Sequence, residues 1–146
     1  MAIEHIHIED ENVISLRTAA FDDDGIIGVL HLCPRSEKTR DDSHLYKSFC
    51  WVYKRRSKLV FKLSRQYRNH KLKHIFSQLR EMAIPLSPDI RFLWSEDGMS
   101  VAVLIDGEPL GCFIETKFHG YSKSVLPGSA LGNAWDEELF KTVFNK

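Results

Sequence analysis

Between Asp42 and Glu81 the chain has no carboxylate at all, yet this stretch holds eleven lysines and arginines. Other absences narrow the reading further. The longest purely apolar run, Val101 to Ile105, is far too short to cross a bilayer as a helix, so no membrane partner is expected. The N-terminal residues, Met1-Ala2-Ile3-Glu4-His5, lack a basic region followed by an apolar core, and no secretory signal is read there. Cysteine is scarce: Cys33, Cys50 and Cys112 are odd in number and widely spaced, which suits reduced thiols better than a disulfide framework. A cytoplasmic location is the expectation that follows. Gly-rich phosphate loops and a Gly-x-Ser-x-Gly nucleophile elbow are missing.

What remains is a chain of 146 residues, 43% hydrophobic and 27% charged, which fits a single globular domain over 1–146. Its formal charge is zero because ten carboxylates on each flank balance the eleven cations of the middle and nine more on the flanks. A run of eleven charges of one sign must be presented to a partner or neutralised within the fold. A protein that bound nucleic acid over its whole surface would show a general basic excess. The near-neutral pI of 7.1 therefore confines any such contact to a local patch.

Periodicity predicts an α+β fold: a largely antiparallel sheet made of N-terminal strands, a central hairpin and a β-meander over 90–117, with one central helix and a short C-terminal helix. Val13 to Ala19 and Ile26 to Leu32 read as strands around Asp22-Asp23-Asp24-Gly25. The polar stretch Pro34 to Ser43 reads as a loop. Residues 45 to 67 fit a helix that would leave Trp51 and Phe61 among the charges. They also fit a hairpin that gathers Phe49, Trp51, Tyr53, Leu59, Phe61 and Leu63 on one face, with Arg55-Arg56-Ser57 as an exposed turn. The hairpin needs fewer exceptions and suits the aromatic content. Asn69 as cap, Leu72, Ile75, Phe76, Leu79 and Met82 at helical spacing, and Pro85 as stop predict the central helix over 70–83. Asp-Gly pairs at Asp97-Gly98 and Asp106-Gly107 punctuate the meander strands Ile90 to Trp94, Ser100 to Ile105 and Leu110 to Thr116. The stretch from His119 to Asn133 reads as irregular, and Asp136 to Val143 as the closing helix.

The basic stretch is interleaved with Tyr46, Phe49, Trp51, Tyr53, Phe61, Tyr67 and Phe76. Single-stranded nucleic acid requires both properties, cations for its phosphates and flat apolar surfaces for its bases. The leading expectation is a small non-catalytic protein that binds an acidic partner, nucleic acid foremost, through the segment 47–73. Lys54, Arg55, Arg56, Lys58, Lys62, Arg65, Arg68, Lys71 and Lys73 would supply the phosphate contacts. The alternative is an adaptor or inhibitor that meets an acidic protein surface. The acidic flanks of a second copy would also serve, giving a homodimer.

Two smaller constellations carry chemistry of their own. Asp106, Glu115 and Lys117, with Pro88-Asp89 upstream, resemble the core of the PD-(D/E)-x-K nucleases. That resemblance implies a Mg²⁺-binding pair of carboxylates and a lysine stabilising charge at the attacked phosphate. Asp106 stands only nine residues before Glu115, a departure from that pattern. His5 with His7 and His31 with Cys33 form two pairs of the type that supplies tetrahedral ligands, but no zinc-knuckle spacing joins them. No metal and no cofactor is therefore assigned.

Overall fold

The computed structural model describes residues 5–33, 48–56, 77–117 and 119–144. Two five-stranded sheets pack face to face. The first contains β1 (Ile6–Glu11), β2 (Thr18–Asp23), β3 (Ile27–Cys33), β4 (Ser48–Arg55) and β5 (Glu81–Met82), in that spatial order. Its strands are antiparallel except for the parallel pair β4–β5. The second sheet runs β10 (Asn133–Ala134), β9 (Tyr121–Ser122), β8 (Glu108–Phe113), β7 (Val101–Ile105) and β6 (Ile90–Trp94). One helix is bounded within the described residues, α1 (Glu137–Phe144).

Alternation along the strands decides which side chains meet between the sheets. Phe21, Leu30, Cys50 and Val52 from the first sheet face Val101, Val103, Ile105, Leu110 and Phe113 from the second, all buried. Burying a side chain such as Leu30 or Phe21 stabilises the fold by about 1.5–3 kcal/mol over leaving it exposed. The sheets meet closely where β4 passes β8 and β9. There the Ser122 hydroxyl donates to the carbonyl of Val52 at 3.0 Å. Gly120 lies so near that an added Cβ would sit 2.7 Å from the Cβ of Cys50.

The outward side of the second sheet is covered by α1. Ala102, Cys112 and Ile114 pack there against Phe140, with Trp135, Leu139 and Val143 around them. Asp136 starts the helix: its carboxylate accepts the Leu139 N–H at 3.0 Å, and its carbonyl accepts that of Phe140 at 3.0 Å.

Three expectations need correction. The central helix does not extend through 79–82. Residues 70–76 lie outside the described residues, but Leu79 bridges Val125 and Glu81–Met82 pairs with Lys54–Arg55 as a strand. The backbone bonds of this stretch go to partners remote in sequence, such as the 2.7 Å bond from Arg80 N–H to the Ser124 carbonyl. Secondly, the strand expected from Val13 begins only at Thr18, because Asn12 to Arg17 form a hydrogen-bonded loop. Thirdly, Phe49, Trp51 and Tyr53 do not share a face. A bulge between Gly28 and Val29 leaves Val52 unmatched in the β3–β4 register. Phe49 and Trp51 consequently point outward and Tyr53 inward. The second half of the expected hairpin, Leu59 to Leu63, and the loop from Pro34 to Ser43 lie outside the described residues.

Candidate nucleic-acid interface

The side of the first sheet turned away from the core is built in two cross-strand rows. Register places His7, Asp22, Val29 and Trp51 in one, and Glu9, Ala20, His31 and Phe49 in the other. Paired residues share a face, so this surface carries imidazoles at the β1 side and large aromatics at the β4 side. Phe49 is 48% exposed and meets Trp51 edge-on, with ring centroids 5.3 Å apart. His31 continues the aromatic surface, 6.4 Å from Phe49.

Asp22 organises the imidazole side. Its Oδ1 lies 2.5 Å from His7 Nδ1 and 3.4 Å from His5 Nε2, and its Oδ2 lies 3.4 Å from His31 Nε2. The other ring nitrogen of His7 lies 2.9 Å from Glu9 Oε1. Both ring nitrogens of His7 thus face carboxylate oxygens, which can only accept, and this arrangement favours the protonated ring. The hydrogen bond to Asp22, then that to Glu9, raises the His7 pKa above its ordinary value. Burial lowers that of His31, with the Asp22 charge opposing the shift. The paired histidines thus converge on a carboxylate, while Cys33 sits one row further along, opposite Thr18. No three His, Cys, Asp or Glu side chains among the described residues are arranged to hold a metal ion.

The cations expected to bind phosphate have separate fates. Arg55 is not at an exposed turn; it is 2% exposed. Its Nε and Nη2 lie 2.8 and 2.7 Å from Asp23 Oδ2, and its Nη1 donates to the carbonyls of Ile84 and Pro85 at 2.9 and 3.0 Å. The Tyr53 hydroxyl donates to the same carboxylate oxygen at 2.5 Å, while Asp23 Oδ1 accepts the Gly25 N–H at 2.7 Å. Burial, followed by the hydrogen bond to Asp23, pushes the Tyr53 pKa well up, so the phenol stays a donor. The bulge is the physical cause: it turns Tyr53 and Arg55 inward onto Asp23, whose neighbour Asp22 points out. Arg55 is thereby held in the interior of the fold by Asp23. Lys54 is half-buried and stands across from Glu81; desolvation lowers its pKa against the pull of that carboxylate. Arg56 and Arg80 are exposed. Lys58, Lys62, Arg65, Arg68, Lys71 and Lys73 lie outside the described residues.

The nuclease-like residues are not brought together. Asp106 and Gly107, both with positive φ, form the tight turn between β7 and β8. Glu115 lies past the far end of β8, where its N–H donates to the Ser100 hydroxyl at 3.0 Å. Ser100 stands six residues before Asp106, so at ~3.3 Å per strand residue the two carboxylates are separated by roughly 20 Å along the hairpin, too far to share one cation. The Asp89 N–H donates to the Asp106 carboxylate and its carbonyl accepts the Asp106 N–H, both at 2.8 Å, so Asp89 belongs to the same distant end. Glu115 and Lys117 occupy a turn, not the alternating strand that would align them.

Sequence reasoning paired His5 with His7 and His31 with Cys33, but missed Asp22 as the hub. The available signal was the alternation of Ala20 and Asp22 against Phe21, which puts Asp22 on the outer face. Comparisons with protein-family models, with curated proteins and with solved structures returned no match.

Proposed function

We propose that this protein binds nucleic acid in single-stranded form, through the outer face of the first sheet and the basic segment that begins on β4. The observation that carries the proposal is Phe49. A large aromatic, 48% exposed, stands edge-to-face with Trp51 on a strand that lies within the acid-free run. Base stacking on such a ring is worth about 1–3 kcal/mol by alanine substitution and tolerates any base. Arg56, exposed where β4 ends, is the first cation placed to follow the phosphate backbone. Lys58, Lys62, Arg65, Arg68, Lys71 and Lys73 continue the same charge in sequence. Arg55 has no part in it, since its charge is spent on Asp23.

The test is an oligothymidylate titration followed by tryptophan fluorescence at low salt. Binding is expected to quench Trp51 and to weaken about tenfold or more in Phe49→Ala, the lower part of the stacking range. Duplex DNA of equal length should bind less tightly, because its bases are not free to stack. Absence of binding at low salt would overturn the proposal. Poly-glutamate competing as well as oligothymidylate, with Phe49→Ala unaffected, would favour an acidic protein surface as the partner instead.

A further inference from the structure

The loop from Asn12 to Arg17 presents apolar side chains where a turn ordinarily presents polar ones. Val13 is 86% exposed, Ile14 68% and Leu16 39%. Turn positions favour Gly, Asn, Asp and Ser because these satisfy or relax the backbone. Here Asn12 does that work: its side-chain oxygen accepts the N–H groups of Ile14 and Ser15 at 2.9 and 3.0 Å. The Asn12 carbonyl accepts the Leu16 N–H at 2.9 Å, and the Asn12 N–H donates to the Arg17 carbonyl at 2.9 Å. The Ser15 hydroxyl accepts the Arg17 N–H at 3.2 Å. Leu16 is held at a φ of 61°, a left-handed conformation that disfavours a side chain of its kind. The loop is thus a built, strained support for three outward apolar groups rather than a loose connection.

A second turn is fastened to it. The Arg17 guanidinium donates to the Met99 carbonyl at 3.2 Å, and Gly98 lies so close that an added Cβ would overlap the Asn12 side chain. This fastens the turn that carries the exposed Glu96 and Asp97 to the loop that follows the exposed Asp10 and Glu11 at the end of β1. Asp10 is fixed in place by the Trp94 indole, which donates to it at 2.7 Å. The two fastened segments, whose border includes the apolar tip, thus carry four exposed carboxylates and one arginine. That border excludes two occupants on electrostatic grounds. A second copy docking tip to tip would bring like charges together, and an anionic bilayer would repel them.

We propose that Val13, Ile14 and Leu16 form a preorganised apolar knob that docks into an apolar pocket bordered by lysines or arginines on a partner protein. A rigid support lowers the ordering cost of docking, and the carboxylates supply orientation and rejection of acidic surfaces. The knob lies at the strand ends and does not depend on the nucleic-acid reading.

Amphipathic helical peptides of leucine and lysine, and of leucine and glutamate, serve as probes, followed by methyl NMR of the full chain. The Leu/Lys peptide is expected to shift the methyls of Val13, Ile14 and Leu16 saturably. The variant Val13→Ser/Ile14→Ser should weaken that binding at least tenfold while unfolding at the same denaturant midpoint, since both side chains are exposed. The Leu/Glu peptide should leave the methyls unmoved. Equal binding of the Leu/Lys peptide by the double variant would overturn the proposal. So would methyl shifts caused by phosphatidylglycerol vesicles but not by the peptide, which would make the knob a membrane anchor.

Discussion

Replacing Arg55 separates a structural cation from a binding one. Arg55→Met leaves Asp23, which is fully buried, with the Tyr53 hydroxyl and the Gly25 N–H but no counter-charge. It also strips the carbonyls of Ile84 and Pro85 of their donor. Removing one partner of a buried ion pair typically costs 3–5 kcal/mol, because the remaining charge stays desolvated. Domains of this size have about 5–15 kcal/mol of stability in all, so the variant should fold but only narrowly. Each kcal/mol lowers the melting temperature by roughly 2–4 °C at this chain length, and a fall of about 10 °C is expected. Urea unfolding followed by tryptophan fluorescence measures the loss, with Arg56→Met as the control. Arg56 is exposed, and its replacement should stay within about 0.5 kcal/mol of the parent. The double variant Asp23→Leu/Arg55→Met should recover part of the loss, since both charges then leave the interior together. If Arg55→Met unfolded at the parent's urea midpoint while oligonucleotide affinity became less salt-dependent, Arg55 would be a phosphate contact and the buried network would be wrong.

The remaining predictions concern the histidines, the inner face of the first sheet and the thiols. In an NMR titration His7 should titrate above 6.5 and His31 below it, and Asp22→Asn should bring His7 down, since the hydrogen bond to Asp22 is the largest cause of its shift. By linkage, the His7 contribution to stability is fully present below pH 6.5 and is lost as pH rises through its raised value; His31 acts oppositely, costing stability as pH falls below 6.5. Gly28→Ala would place a Cβ 2.6 Å from Tyr53 Cζ and 2.7 Å from Phe21 Cζ, so it should destabilise by about 1–3 kcal/mol in urea, as overpacking does. Burial pushes the Cys50 thiol pKa well up and that of Cys112 up to about 12; neither should react with a disulfide reagent at pH 8 until denaturant is added.

The parts of the fold legible in the sequence are those that local chemistry dictates. Asp106-Gly107 demands a tight turn, and the strands Val101–Ile105 and Glu108–Phe113 follow on either side. Asp136 can cap a helix whatever surrounds it, and α1 begins at the next residue. What stayed hidden depends on distant partners. Leu79 and Met82 carry helical spacing, yet their backbone is claimed by Val125 and β4. Arg55 reads as surface in a run of cations because its counter-ion is Asp23, 32 residues earlier, and because one bulge on β4 reverses its side. The Asp22 hub draws its histidines from outside β2, His7 and His31 on the two strands that flank it and His5 just before β1, so no spacing along the chain reveals it. The aromatic and basic character of β4 was visible, but not which rings face solvent. Alternation alone put Tyr53 with Phe49 and Trp51, whereas the bulge buries the first and leaves the second exposed.

The most direct measurement for the central claim is the affinity for oligothymidylate as a function of salt. Each phosphate neutralised contributes about 0.7 to the slope of log affinity against log salt for a single strand. Several contacts are expected, so the slope should be about −2 or steeper. Arg56→Met should make the slope about 0.7 shallower without shifting the urea midpoint. A slope near zero, or one left unchanged by Arg56→Met while Phe49→Ala also binds like the parent, would contradict nucleic-acid binding at this face.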